Sequence, residues 1–354
     1  MIIREIVVEP QAIAWLPWAV SYFFFIGLAF SGVFVGLLIH KMEKNVQHEF
    51  IAIIVALSCA IVAPIALTAD LHQPSLIVNF YLHLTPWSWM AWGAIFLPLF
   101  TLAVVGYFLC LLRQAIPQQH LPRFLHFLYW GQLNLLRWTT FFRVFAFLSA
   151  LSILVYTTME VFVVEARPLW HQSWLMPLIL FSVFPSTLLL CRFLIAVFSQ
   201  RKIAGYLSTL TFISLMLFIG TLLGVYFSSE QTALQLTQLW QVSDLPMLDL
   251  VVLDLVVLGG LLLGTYLTAS LWLQGMMVLL ALLLTWVVRW ILLIEVQRLA
   301  KYNALINPYE LTWHIDGAIG ILSVFSLWLC ISIVLWWVFS AALAPLHLTG
   351  GNHE

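Results

Sequence analysis

Charge is what this chain has least of: Asp, Glu, Lys and Arg make up 8% of its 354 residues, against about a quarter in an ordinary soluble domain. Too few ionisable groups are present to cover a water-exposed surface, so a soluble globular fold is excluded. The net charge of −1 gives no basic field of the kind that holds nucleic acid. Cysteine is also scarce. Cys59, Cys110, Cys191 and Cys330 lie singly in or at the ends of apolar runs, with no CxxC spacing, which argues against an iron–sulfur cluster or a disulfide framework in this chain and leaves no cysteine-based metal site. Histidine is missing from the middle of every long apolar run. His40 falls at one end of a run, His126 near an interface, and His72, His83, His171 and His314 near the opposite ends. A transmembrane b-type haem draws axial histidines from facing helices, so haem is not expected. The start, MIIREIVVEP, lacks a basic segment followed by a short apolar core and a small-residue cleavage site, so the first helix is expected to be retained.

What the chain has in abundance is hydrocarbon. Hydrophobic residues make up 63% of it and the mean hydropathy is +1.05. Continuous apolar runs of 18 or more residues recur along the whole length, each enough to cross a core roughly 30 Å thick as a helix. They do not alternate as barrel strands would. The expectation is an all-α polytopic helical bundle, one membrane-embedded domain over 1–354 with its core at 15–340. About nine spans are predicted, at 16–39, 50–69, 87–112, 143–164, 174–198, 203–227, 248–269, 273–296 and 315–339. Residues 120–137, with Arg123, His126, Tyr129, Trp130 and Arg137 among leucines, read as an interfacial amphipathic helix.

Lys41, Lys44, Arg113, Arg123, Arg137, Arg143, Arg192, Arg201 and Lys202 fall on one side of these spans, which the positive-inside bias makes cytoplasmic. The N-terminus is then periplasmic and, with nine spans, the C-terminus cytoplasmic. Acids run the other way: Asp70, Glu160, Glu165, Asp249, Asp254, Glu295 and Asp316 sit toward the outer ends, while Glu43, Glu49 and Glu354 lie on the inner side outside the predicted spans. The chemistry belongs in the outer half of the membrane. With no acid inside the inner half of any span, no proton path from the cytoplasm is expected.

Ionisable side chains inside a membrane are costly and face the bundle interior or a functional site. The stretch TADLHQP ends the second span with Asp70, His72 and Gln73, and the loop that follows has no Lys or Arg but holds Tyr81 and His83. An acid and a histidine at a helix mouth can relay protons; capping the helix or bracing the loop is the plain alternative for Asp70. On the fourth span Tyr156 and Glu160 are four residues apart and share a face, where they can bind a polar ring and accept a proton, or sit as an interfacial tyrosine and a snorkelling acid. Glu165 and Arg167 beyond them read as a surface ion pair. Asp254 and Arg289 fall at comparable depth on consecutive spans and are expected to form a structural ion pair, because an unpaired buried charge is far more costly. Most of the 17 tryptophans belong to the aromatic belt, and a few can line a pocket for a flat ring. The class that competes with a redox subunit is a secondary transporter with an intramembrane site at Asp254, Arg289 and Asp316.

The acid–histidine loop followed by TPWSWMAWGAIFLPLF resembles the NrfD/polysulfide-reductase family of membrane subunits. The blocks LPWAVSYFFFIGLA, ALTADLHQP, TPWSWMAWGA, EARPLW, VRWILLIEVQ and KYNALINPYEL carry the resemblance from about residue 15 to 320, and they are most similar to the tetrathionate branch. The resemblance implies a haem-free subunit in the bacterial inner membrane that oxidises menaquinol near the periplasmic face. Its implied partners are a periplasmic four-cluster ferredoxin-like iron–sulfur subunit and, beyond it, a molybdopterin catalytic subunit. Asp70 occupies the acid of the family's loop motif, and Tyr156 matches a fourth-helix tyrosine that contacts quinone in the polysulfide branch. That branch also uses an Asn and a His on the first helix, where this chain offers Trp18, Ser21 and Tyr22. The expected quinol site is therefore Asp70, His72 and Glu160 for proton transfer, with Tyr156, Tyr22, Trp18 and Gln73 holding the ring. Nine spans rather than the eight of the polysulfide branch also favour the tetrathionate branch.

Overall fold

Helices that are apolar on every side, rather than along one stripe, can be satisfied only by other helices or by lipid. The computed structural model describes residues 12–71, 73–198, 205–242, 246–264, 270–300 and 306–343. Among the described residues nine helices are long and apolar enough to cross a membrane: α1 (Pro17–Glu43), α2 (Val46–Ala69), α4 (Trp89–Ala115), α5 (Leu135–Phe162), α6 (Leu175–Phe198), α7 (Tyr206–Tyr226), α9 (Met247–Gly264), α10 (Leu271–Trp290) and α12 (Ala318–Leu343). No strand occurs among the described residues. The chain is thus a multi-pass, all-helical membrane protein. Helix α1 is the hub, packed on α2, α5, α6 and α10, with 83% of its most apolar window buried, whereas α9 and α12 are peripheral at 22% and 11%.

The turn between α1 and α2 is tight because both caps are built in. Lys44 takes a left-handed conformation (φ 54°) and its N–H closes on the His40 carbonyl, while the Asn45 side chain accepts from the N–H groups of Gln47 and His48, the usual role of an asparagine cap. Helix α2 therefore starts at Val46, four residues earlier than its apolar run suggests, and Glu49 lies inside the span. This corrects the expectation of an acid-free inner half. Glu49 is fully buried; it takes a two-pronged pair from Arg143 of α5 (Nε to Oε1 2.7 Å, Nη2 to Oε2 2.9 Å), a hydrogen bond from Tyr107 of α4 (2.5 Å), and contact with half-exposed His40 of α1 (3.0 Å). Four helices are tied together through one carboxylate.

The segment 120–137 does not form the expected interfacial α-helix. It folds as two 3-10 turns, Gln118–His120 and Arg123–Tyr129, each preceded by a proline (Pro117, Pro122), and turns at Gly131 with φ 89° before α5 begins at Leu135. The prolines supply no N–H, and Arg113 takes the carbonyls of Leu128 (2.8 Å) and Trp130 (2.9 Å). Two short helices accompany the spans: α3 (Ile77–Leu82) and α8 (Glu230–Val242). Neither is among the predicted elements, and α8 lies where the sequence reading has only a connection between spans. Ser229 caps it through the Thr232 N–H (3.1 Å), and Thr232 and Leu239 are buried. At about 20 Å it is too short to cross.

Asp254 and Arg289 do not pair. Helix α6 contains Pro185, which cannot close the backbone bond to the preceding turn. The Arg289 guanidinium enters that region, donating to the Ile179 carbonyl (2.6 Å) and the Ser182 hydroxyl (3.0 Å). Thr285 donates to the Ser182 carbonyl (2.8 Å) and Ser186 to the Ala281 carbonyl (2.6 Å). Arg289 thus serves the α6–α10 seam. Asp254 is buried on α9, and neither carboxylate oxygen has a hydrogen-bond partner among the described residues. Equal depth on consecutive helices did not mean facing sides.

At the end of the bundle that carries Asp70, α10 continues through a π turn (Ile291–Glu295) into α11 (Val296–Arg298). Arg167, expected in a surface pair with Glu165, instead binds the carbonyls that this ending exposes, those of Val296, Leu299 (3.3 Å) and Gln297 (3.0 Å). Trp170 donates to the Leu292 carbonyl (2.7 Å). The Gln297 side chain accepts from Ala14 and Trp15 N–H groups, and Asn307 donates to the Gln297 carbonyl (2.9 Å). The blocks EARPLW, VRWILLIEVQ and the INPYEL end of the last block thus meet in one latch. Because a planar fork serves three carbonyls and an ammonium cannot reproduce it, Arg167→Lys is expected to cost about 1.5–3 kcal/mol, read as a lower unfolding midpoint of the purified protein. An unchanged midpoint would contradict the latch.

Candidate functional site

The i,i+4 spacing of Tyr156 and Glu160 on α5 places them on one face, and the Tyr156 hydroxyl donates to Glu160 Oε1 at 2.5 Å. Both are buried. Tyr22 of α1 joins them, its hydroxyl fully buried beside Tyr156. Among the described residues, the Tyr22 hydroxyl and Glu160 Oε2 have no hydrogen-bond partner of good geometry. Leaving a buried acceptor unsatisfied costs about 1–3 kcal/mol, which a ligand with a hydroxyl would recover.

Tyr156 reaches this position because α4 passes close by with a glycine. A Cβ on Gly93 would stand 2.3 Å from the Tyr156 hydroxyl, so the WGA of the TPWSWMAWGA block is a steric requirement. Phe96, one turn on, sets its ring edge-on to Tyr156 at 6.3 Å. Gly93→Ala is expected to push Tyr156 off Glu160. The check is a structure of the Gly93→Ala protein, in which the Tyr156 hydroxyl should no longer reach Glu160. A Tyr156–Glu160 hydrogen bond kept at 2.5 Å would contradict the steric requirement.

Tyr156 and Glu160 form part of the wall of a cavity of about 310 Å³, within the range of small-molecule sites. The remaining wall comes from the end of α2 (Pro64, Leu67, Thr68), the loop and short helix after it (Leu71, Tyr81, His83) and the start of α4. The walls are mainly apolar, with Thr68, His83, Thr85 and Ser88 as further polar groups. Such a space suits a flat, largely apolar ring with a polar group at the carboxylate.

The expected site residues separate. Tyr22, Tyr156 and Glu160 come together, although Tyr22 does not line the cavity. Asp70 is the half-buried residue ending α2, its N–H on the Ala66 carbonyl (3.1 Å), and its neighbours Thr68 and Leu71 line the cavity. A carboxylate at a helix C-terminus opposes the helix dipole by about 0.3–1 kcal/mol, so stabilising α2 does not explain it. Gln73 is exposed and Trp18 packs on α12 at Gly320; neither lines the cavity. His72 lies outside the described residues. His83, noted in the loop but given no role by the sequence, does line the cavity. For the transporter reading, Arg289 is engaged with α6 and Asp316 is exposed, so no common charged site forms.

The model of the family described as polysulphide reductase, NrfD, matches residues 7–300. The chain belongs to the NrfD family. It is also 35% identical over 346 residues to one of the subunits of tetrathionate reductase from Salmonella typhimurium strain LT2, an alignment covering 95% of each protein. The NrfD match includes every element of the Tyr156–Glu160 cavity and ends before α12, the least buried span.

Proposed function

We propose that this NrfD-family chain is the quinol-oxidising membrane subunit of a reductase complex, with the Tyr156–Glu160 cavity as its site. Family membership and the similarity to a tetrathionate reductase subunit support a membrane subunit of a reductase complex. The quinol reading rests on one observation: a buried tyrosine–carboxylate pair with a Glu160 oxygen that has no partner among the described residues, set in the wall of a mainly apolar cavity. In this reading menaquinol loses two electrons and two protons. Glu160 accepts a hydroxyl proton, Tyr156 holds the ring oxygen, and the electrons pass to an iron–sulfur partner docked at the Asp70 end. From that partner, of the four-cluster ferredoxin-like kind, they would continue to a molybdopterin subunit, with tetrathionate as the favoured acceptor. In this reading the membrane is a bacterial inner membrane, and the Lys/Arg bias supports the Asp70 end as its periplasmic side.

Protons would leave on the same side, past His83 and Asp70. The Glu49 network offers an acid at the other end, but Arg143 and Glu160 are separated by about 25 Å along α5. The hydroxyls of Ser149, Ser152 and Thr157 in that interval bond to carbonyls of their own helix. The reaction is therefore electroneutral in this account. Asp70→Asn in the assembled complex is expected to slow menaquinol oxidation about tenfold or more and to leave turnover from an artificial donor to the partner unchanged. Equal loss with both donors would remove Asp70 from the site.

A further inference from the structure

The cavity does not end at Pro64. A second, apolar groove of about 530 Å³ shares Pro64, Tyr81 and Leu97 with it and runs between α2 and α4, down to Ala60 on one helix and Val105 on the other. We infer that this groove holds the polyprenyl tail of the quinol, so that the substrate reaches Glu160 sideways from the bilayer between α2 and α4. This rests on the quinol reading above and adds where the tail lies.

Three observations carry it. The two spaces divide by polarity as the two ends of such a lipid do. The first offers Tyr156, Glu160, His83 and Ser88 to a polar head; in the second the Thr101 hydroxyl is already spent on the Leu97 carbonyl (2.9 Å), and beyond the shared Tyr81 the other residues lining it are apolar. The wall the two spaces share includes Pro64 of α2 and Leu97 of α4, the latter next to Pro98; each proline removes a backbone hydrogen bond and allows its helix to bend. The groove is open on the lipid side, where Ile61 and Leu102 are exposed. From Leu97 to Val105 it follows about 12 Å of helix. Two other apolar cavities, one beside Phe34, Phe147 and Phe184 and one beside Trp328 and Trp336, share no lining residue with the Tyr156–Glu160 cavity.

The test uses the complete complex in proteoliposomes and two substrates, long-chain menaquinol and a tail-less naphthoquinol. Filling the groove with Thr101→Trp or Val105→Trp is expected to raise KM for the long-chain quinol about tenfold while moving that of the tail-less one less than about twofold. A rise shared equally by both substrates, or no rise in either, overturns the proposal. Because a bulky variant can fail to assemble, the wild-type complex is also labelled with a menaquinone analogue carrying a diazirine on its first isoprene units. Crosslinks to residues 60–64 and 97–105 support the groove, and crosslinks confined to α1, α5 and α6 overturn it. A wild-type complex that oxidises neither quinol defeats the quinol reading itself, whereas oxidation with misplaced crosslinks defeats only the tail assignment.

Discussion

Arg143→Ala is expected to destabilise the protein by about 3–5 kcal/mol, the usual cost of removing one partner from a buried ion pair. Glu49 is fully buried and receives both prongs of the guanidinium, so without Arg143 its charge keeps, among the described residues, the Tyr107 hydroxyl and His40. The carboxylate joins α1, α2, α4 and α5, and the loss is therefore felt as global unfolding rather than fraying. Glu49→Gln combined with Arg143→Met removes both charges and is expected to recover most of the stability, since replacing a whole buried pair is far less costly than splitting it. Thermal or denaturant unfolding of the purified protein reads both. A single variant as stable as the original, or a double variant worse than the sum of its parts, would show that the network does not hold the helices together.

Where this network sits also explains what the sequence could and could not convey. The existence of nine spans is written in the length of the apolar runs, and the faces shared by Tyr156 and Glu160 follow from helical spacing alone. The ends of spans are set instead by caps such as Asn45 and Asn134 and by the left-handed Lys44. Polar residues near those caps resemble loop, so the apolar pattern leaves Glu49 outside α2 and starts α5 eight residues late. Rotation about the helix axis was equally hidden. A helix apolar all round carries no stripe to say which side meets which neighbour, so Asp254 and Arg289 could be matched for depth but not for direction, and Trp18 could not be assigned to α12. Gly93 was visible inside a quoted block, but the need for a glycine there arises only from the approach of Tyr156, 63 residues away in the chain. His83 needed the path of the loop after Asp70.

The second large effect concerns chemistry. Glu160→Gln keeps the size of the side chain and leaves an amide oxygen able to accept the Tyr156 hydroxyl, so the cavity should survive. It removes the only carboxylate among the described residues lining the cavity. A positioned general base contributes about 10²–10⁴-fold, and menaquinol oxidation is expected to fall by that factor. The chemistry of the partner subunits lies outside this chain and should be untouched.

Comparing two electron donors in the assembled Glu160→Gln complex therefore tests the central claim, that quinol gives up its protons at the Tyr156–Glu160 pair. The account expects menaquinol-driven reduction to drop at least about 100-fold while reduction driven by an artificial donor to the iron–sulfur partner stays at the level of the unaltered complex. Menaquinol-driven turnover that persists, or equal loss with both donors, would contradict it.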